Sequence, residues 1–381
     1  MRLPALLCSV VALGMLSGCG GDDEVVPPTS TTGSGGSAGE DGSGGTGGST
    51  SSSSTTGQTG PTTGGGNGGT AGAAGGAGMS GGGGEGGAID PEVARGEYLV
   101  NVVAVCADCH TPRTATGAPD LDMYLAGAEC FADADEEDPD FGCLSTRNLT
   151  NHETGLKNRS DAEIKKMFLE GERPDGSYLH PVMPYWSFGN MSDEDADAIV
   201  AYLRTVPGVE HELPPNQAPF LAPDEPAPRV DLDEVPEPDT DDSNYASAMR
   251  GRYLAAQAGV CLECHTPSTP MGTPEPRDLS MAFAGGEEFR LGLEPIFPEV
   301  IYSRNITSDE TGLDGWSAED VVRALKEGVG PTGDPVCPPM PAGPMGAYAH
   351  LTDDDALDIA NYILTLPPIE NELAICEMPQ P

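Results

Sequence analysis

Two five-residue stretches have the residue types and spacing for cofactor chemistry: Cys106-Ala107-Asp108-Cys109-His110 and Cys261-Leu262-Glu263-Cys264-His265. Two thiols three residues apart, followed at once by an imidazole, form the attachment pattern of a covalent c-type haem. One turn of backbone presents both thiols to the two vinyl groups of a haem. The next side chain then lies where it can bind the iron. A structural zinc site or a disulfide redox pair would be the competing chemistry. Zinc needs further Cys or His ligands nearby at metal spacing, and the sequence has none there. A redox Cys-x-x-Cys does not need the trailing histidine. The expected cofactors are two covalently bound haem c groups, attached through Cys106, Cys109, Cys261 and Cys264, with His110 and His265 as axial iron ligands.

The sixth iron position decides the function. A His/Met pair gives a filled, electron-transferring iron, whereas an open position gives small-molecule chemistry. Met183, in Val182-Met183-Pro184-Tyr185, is the candidate for the first iron. It lies on a proline-rich loop ahead of a helix, and Met191, at the mouth of that helix, is a weaker candidate. For the second iron, Met340 and Met345 compete within Pro339-Met340-Pro341-Ala342-Gly343-Pro344-Met345. Glu170-Gly171 recurs as Glu327-Gly328 at an offset of 157, and 183 plus 157 is 340. Met340 keeps the register and the Met-Pro dipeptide and is therefore favoured. His180 could compete for the first iron but reads as a surface residue, as do His152, His211 and His350.

The elements that must carry these residues are helical. Asp90 reads as an N-cap with Pro91 as the first helical residue, opening a helix that runs through Arg95-Gly96-Glu97-Tyr98-Leu99 into Cys106. Ser160-x-x-Glu163 and Ser317-x-x-Asp320 cap a middle helix, and Ser192-x-x-Asp195 caps a last one. Arg95 to Leu99 matches Arg250 to Leu254, and Asn148-Leu149-Thr150 matches Asn305-Ile306-Thr307. Ordered repetition of this kind predicts two copies of one domain. The expected organisation is a leader over 1–18, a flexible Gly/Ser/Thr tether over 19–88, a first domain over 89–212, a Pro- and acid-rich linker or strap over 213–243 and a second domain over 244–381. A tether of that length spans roughly 45 Å root-mean-square. The acidic run 133–140 reads as a solvated loop, because it lacks the alternation and glycine of a calcium loop.

The apolar run Leu3–Leu16 ends at Leu16-Ser17-Gly18-Cys19 and is too short to span a bilayer. It looks like a bacterial lipoprotein signal, with acylation at Cys19. The folded domains are then expected in the cell envelope, lipid-anchored and facing the periplasm or lying on the outer face of a membrane. The formal net charge is −43, from 61 acidic and 18 basic residues. That sign excludes nucleic acid as a partner, since phosphate binding needs cations. Partners are expected to be redox proteins. Cys130, Cys143, Cys337 and Cys376 remain, and an oxidising compartment permits disulfides. The pairs Cys130–Cys143 and Cys337–Cys376 are favoured because each stays within one expected domain.

Arg-Gly-x-Tyr-Leu, Cys-x-x-Cys-His-Thr-Pro, Asn-Leu/Ile-Thr, Glu-Thr-Gly-Leu, Met-Pro and Tyr-Leu/Ile-x-Thr-x-Pro together resemble class I cytochrome c domains. More narrowly, the chain is similar to the cytochrome c subunits of bacterial membrane-bound alcohol, aldehyde and gluconate dehydrogenases. The resemblance implies a mainly α fold of two tandem domains whose first and last helices cross at Gly96 and Gly251. It also implies that Arg147, Asn148, Arg304 and Asn305 lie near haem propionates. Trp316 matches a Trp often placed near a propionate, but Arg159 stands at that position in the first half. Those subunits usually carry three haems and a C-terminal anchor, whereas this chain has two attachment motifs. The expected function is a di-haem electron carrier. The alternatives are a dedicated subunit of a dehydrogenase complex, and a di-haem peroxidase or sulfur-compound dehydrogenase with one open iron.

Overall fold

A computed structural model describes residues 89–114, 117–133, 142–270, 273–289, 300–374 and 376. The leader-like run, Cys19, the Gly/Ser/Thr stretch and most of the acidic run at 133–140 lie outside these residues.

Helix α1 (Pro91–Tyr98) begins as its sequence dictates: the Asp90 carboxylate accepts from the Glu92 N–H at 3.0 Å, with Pro91 in the first turn. It does not run unbroken into Cys106. A widened turn over Leu99–Val103 ends it, and Val105 adopts φ +45° before α2 (Cys106–His110) starts. The same widened turn recurs over residues 254–258, Leu-Ala-Ala-Gln-Ala, which lack β-branched side chains, so it answers to packing and not to local propensity. After α2 the chain is mostly loop, with one short antiparallel pair, β1 (Ala132–Asp133) on β2 (Cys143–Leu144). Helix α3 (Asp161–Glu170) carries the full Ser160/Glu163 capping box. It is followed by α4 (Tyr185–Phe188) and α5 (Asp193–Thr205).

The order then recurs. Helix α6 (Tyr245–Tyr253) is followed by a widened turn over Leu254–Ala258 and by α7 (Cys261–Cys264). A second short pair, β3 (Glu288–Phe289) on β4 (Ile301–Tyr302), precedes α8 (Ala318–Glu327) and α9 (Asp353–Ile363). The described part is thus mainly helical. Among its residues, no helix is long and apolar enough to cross a membrane.

Helix α1 crosses α5, and α6 crosses α9, each at a glycine. A Cβ on Gly96 would stand 1.8 Å from the Ala198 carbonyl oxygen, and one on Gly251 would stand 1.9 Å from that of Asp358. Only a bare backbone permits such an approach. A contiguous apolar core runs through both halves and includes Leu99, Trp186, Ile199, Leu254, Phe283 and Tyr362.

Residues 213–243 are bonded down as a strap. Gln217 exchanges bonds with the Cys143 backbone (2.9 and 3.0 Å), and the Phe220 side chain is buried beside Leu144 and Val182. Farther along, Ala227 donates to the Tyr185 hydroxyl at 2.8 Å and Val230 to the Trp186 carbonyl at 2.9 Å. On the second half, the buried Arg252 guanidinium donates to the Leu232 and Val235 carbonyls, and the Tyr362 hydroxyl donates to Pro236 at 3.1 Å.

Candidate haem-attachment sites

The two Cys-x-x-Cys-His turns are held by the same bonds. His110 Nδ1 lies 2.7 Å from the Arg147 carbonyl, and His265 Nδ1 lies 2.8 Å from the Arg304 carbonyl. A carbonyl only accepts, so each Nδ1 carries the proton and each Nε2 keeps its lone pair for a metal. Both rings are buried, and burial lowers both pKa values, keeping the imidazoles neutral. The next residue fixes the turn. Leu125 N–H donates to Thr111 Oγ1 at 3.1 Å and Gly127 N–H to the His110 carbonyl at 2.7 Å. In the second half, Phe283 donates to Thr266 Oγ1 at 3.2 Å and Gly285 to the His265 carbonyl at 2.7 Å. These staples hold Leu125 and Phe283 in the left-handed region, at φ +57° and +63°, where non-glycine residues seldom settle unless their surroundings impose it. The recurrence of Thr after both motifs was the sequence signal for this role, and residue-type reasoning missed it.

The four motif cysteines form no disulfide. Burial pushes the Cys106 thiol up to about 12 and the Cys261 thiol to about 11, so both stay protonated thiols. Together, two thiols and one metal-ready imidazole per turn fit a covalently attached haem.

The methionines separate by burial. Met183 and Met340 are half-buried against the core. Met345 is 75% exposed and Met191 is buried within the core. Met183 sits in a tight turn, donating its N–H to the His180 carbonyl at 3.0 Å and accepting from Tyr185 at 2.8 Å. His180 is not the surface residue expected from its sequence setting. Its ring stands edge-on to Phe220 at 5.4 Å, and burial lowers its pKa to about 4. The strap supplies Phe220, a long-range contact with no local signal. His211 is also tied in, with Nδ1 3.1 Å from the Ala126 carbonyl.

Asn148 and Asn305 are buried, with their amides engaged by protein. Asn148 Nδ2 donates to Thr154 Oγ1 (3.0 Å) and the Val209 carbonyl (2.9 Å), and Oδ1 accepts from the Thr150 N–H and hydroxyl. Asn305 repeats this with Thr311, Ile369 and Thr307. Each asparagine staples its loop to the segment after the last helix of its half. Arg147 donates to the Pro214 carbonyl and Asn216 Oδ1, both at 2.9 Å, whereas the Arg304 side chain is exposed.

A further basic residue joins the first site. Burial, and then the charge of Arg173, lower the Arg147 pKa. Arg173 opens a turn closed by Arg173 N–H on the Ser177 carbonyl at 2.8 Å, matched by Gly330 N–H on Asp334 at 2.8 Å. Arg173 and Gly330 therefore hold equivalent positions. The Trp316 ring lies 3.5 Å from where a Cβ on Gly330 would stand. In the first half the exposed Arg159 stands at the position of Trp316, and Arg173, bonded to Ser177 Oγ and the Tyr178 carbonyl, stands at the position of Gly330.

Cys130 is joined to Cys143 and Cys337 to Cys376, with Cα separations of 4.9 and 6.3 Å. The second bond anchors the chain three residues ahead of Met340.

This helical fold with its doubled attachment turn has counterparts among known proteins. Residues 93–207 match the cytochrome c family. The chain is 30% identical over 304 residues to the cytochrome c subunit of a quinone-dependent alcohol dehydrogenase from Komagataeibacter europaeus, covering 73% of this chain and 56% of that one. It is 28% identical over 292 residues to a fructose dehydrogenase cytochrome subunit from Gluconobacter japonicus, covering 73% and 53%. A di-haem c-type cytochrome from Cereibacter sphaeroides is 28% identical over 294 residues, covering 73% of this chain and 87% of that protein. The chain spans a little over half the length of the two dehydrogenase subunits. Residues 93–207 thus form a cytochrome c domain, and fold and kinship relate the rest of the described chain to c-type cytochromes.

Proposed function

We propose that the protein is a di-haem electron carrier. Two haem c groups attach at Cys106/Cys109 and Cys261/Cys264 and are ligated by His110 with Met183 and His265 with Met340. The observation that carries this reading is the paired His Nδ1–carbonyl bond, which leaves one metal-ready nitrogen beside two thiols in each half. When bound, each haem supplies a one-electron couple. The protein orients the ligands, keeps the imidazoles neutral and excludes water around them. The Arg147/Arg173 pair is the cationic partner for propionates at the first site, and Trp316 is their partner at the second. On this reading the chain is two tandem cytochrome c domains, 89–212 and 244–381, joined by the 213–243 strap and tethered through acylated Cys19 at the periplasmic face of the cell envelope.

Reductive titration of the purified holo-protein tests the reading. Two one-electron uptakes per chain are expected, with two haems still attached after denaturation. One haem, or haem lost on unfolding, would contradict it. A second reading, a subunit delivering electrons from a dehydrogenase, is favoured by the kinship with dehydrogenase cytochrome subunits. Co-purification with a flavin- or quinone-dependent partner would support it, and isolation as a free monomer would count against it.

A further inference from the structure

Two tyrosines cross between the halves and bind each other's last helix reciprocally. Tyr98, at the end of α1, donates its hydroxyl to Asp355 Oδ2 at 2.8 Å and accepts from the Thr352 N–H at 3.2 Å. Tyr253, at the end of α6, donates to Asp195 Oδ2 at 2.7 Å and accepts from the Ser192 N–H at 3.2 Å. Ser192 and Thr352 are the N-caps of α5 and α9, and Asp195 and Asp355 stand three residues on. In a capping box the third-position carboxylate reaches back to the N-cap N–H. Here the bridge between those two groups is a tyrosine hydroxyl from the opposite half. Each carboxylate is also held by an arginine of its own half: Arg95 grips Asp195 at 2.7 and 2.9 Å, and Arg250 bonds Asp355 at 3.1 Å.

These crossings sit beside the attachment turns. A Cβ on Gly259, two residues before Cys261, would lie 3.2 Å from the carbonyl oxygen of Val103, three residues before Cys106. Ser187 Oγ donates to the Ala256 carbonyl at 2.9 Å. Trp186 of the first half lies under Arg277, whose guanidinium bonds Glu263 inside the second motif at 2.7 Å. The turn Ala347–His350 of the second half, which carries the buried Tyr348, packs against the Leu99–Val103 turn of the first.

We propose that Tyr98 and Tyr253 are positioning residues that lock the two haem-attachment turns against one another, so that electrons pass between the two sites within one rigid body. The proposal rests on the electron-carrier reading. It differs from that reading in requiring direct exchange between the sites, independent of any partner or linker motion.

The test uses full-length holo-protein carrying Tyr98→Phe, Tyr253→Phe or both. The rings and their packing remain and only the hydroxyls go. Hydrogen exchange at the Ser192 and Thr352 amides should quicken about tenfold at the site of each lost hydroxyl, the effect of one net hydrogen bond. After rapid photoreduction, electron redistribution between the two haems should slow in the double variant, while haem content and the Met-to-iron absorption band stay unchanged. Tyr245→Phe is the control, because its hydroxyl donates to Glu237 at the surface, at 3.3 Å, and not to the opposite half's last helix. Unchanged inter-haem exchange in the double variant would overturn the positioning role, whatever the amides do. Unchanged amide exchange in both single variants would overturn the lock itself. If the wild-type protein takes up no electrons, the carrier reading fails separately, and the amide measurement still decides the lock.

Discussion

At the residue scale, the arrangement turns on which atoms are left available. Hydrogen-bonding each Nδ1 to a carbonyl commits the tautomer, and burial keeps the ring neutral, so His110 and His265 each keep an Nε2 lone pair, as the proposed ligand role requires. The methionines divide as sharply. Met183→Leu and Met340→Leu should each open one iron and lower the potential of that haem, because a thioether ligand raises it. Met345→Leu should leave both potentials in place, since Met345 is 75% exposed. Potentiometric titration of the three variants separates these outcomes. Arg173→Gly makes the first site resemble the second. Removing a cation disfavours the electron-rich state, so the first haem's potential should fall while the second holds, readable in the same titration.

At the element scale, helix crossings set the frame. Gly96→Ala drives a methyl to 1.8 Å from a backbone oxygen of α5. The helices must part, and the cost should reach the upper part of the roughly 1–3 kcal/mol typical of overpacking. A fall in the thermal midpoint of the holo-protein checks it, and a midpoint equal to wild type would contradict the crossing. Here the legibility of the sequence is clearest. Asp90, Ser160, Ser192 and Ser317 announce their helix starts because capping is local, within three residues. The two short Cys-x-x-Cys-His turns were legible for the same reason. The break at Val105 was not, because it answers to the packing of the next turn. The seat of His180 was also hidden, since Phe220 reaches it from the strap 40 residues on. The bond from Asn148 to the Val209 carbonyl, 61 residues on, was hidden for the same reason.

At the scale of the whole molecule, an acidic chain is bound together by a few well-placed cations. Burial alone would raise the Asp195 carboxyl, but hydrogen bonds from Arg95 and Tyr253, and the Arg95 charge, outweigh it and hold the pKa below the ordinary range. A depressed folded-state pKa means the unfolded chain binds more protons in the window below about pH 3.9. The contribution of Asp195 is therefore complete above that pH and is lost as pH falls through the folded value. Acid unfolding of Asp195→Asn should be less steep in that window than wild type, and an identical slope would show that the inter-half network does not bear on stability. The reciprocal tyrosines and the strap explain why two repeats form one unit, and neither follows from the repeat pattern. Both need the register between halves, which no local spacing encodes.

On the proposed function, a histidine and a methionine fill each iron, as an electron carrier requires. Ligand-field spectroscopy of the oxidised full-length holo-protein tests this ligation. Two low-spin irons with methionine sulfur ligation, slow to bind cyanide, are expected. A high-spin iron at either site that takes up cyanide or peroxide rapidly would contradict the account and move the protein to catalysis.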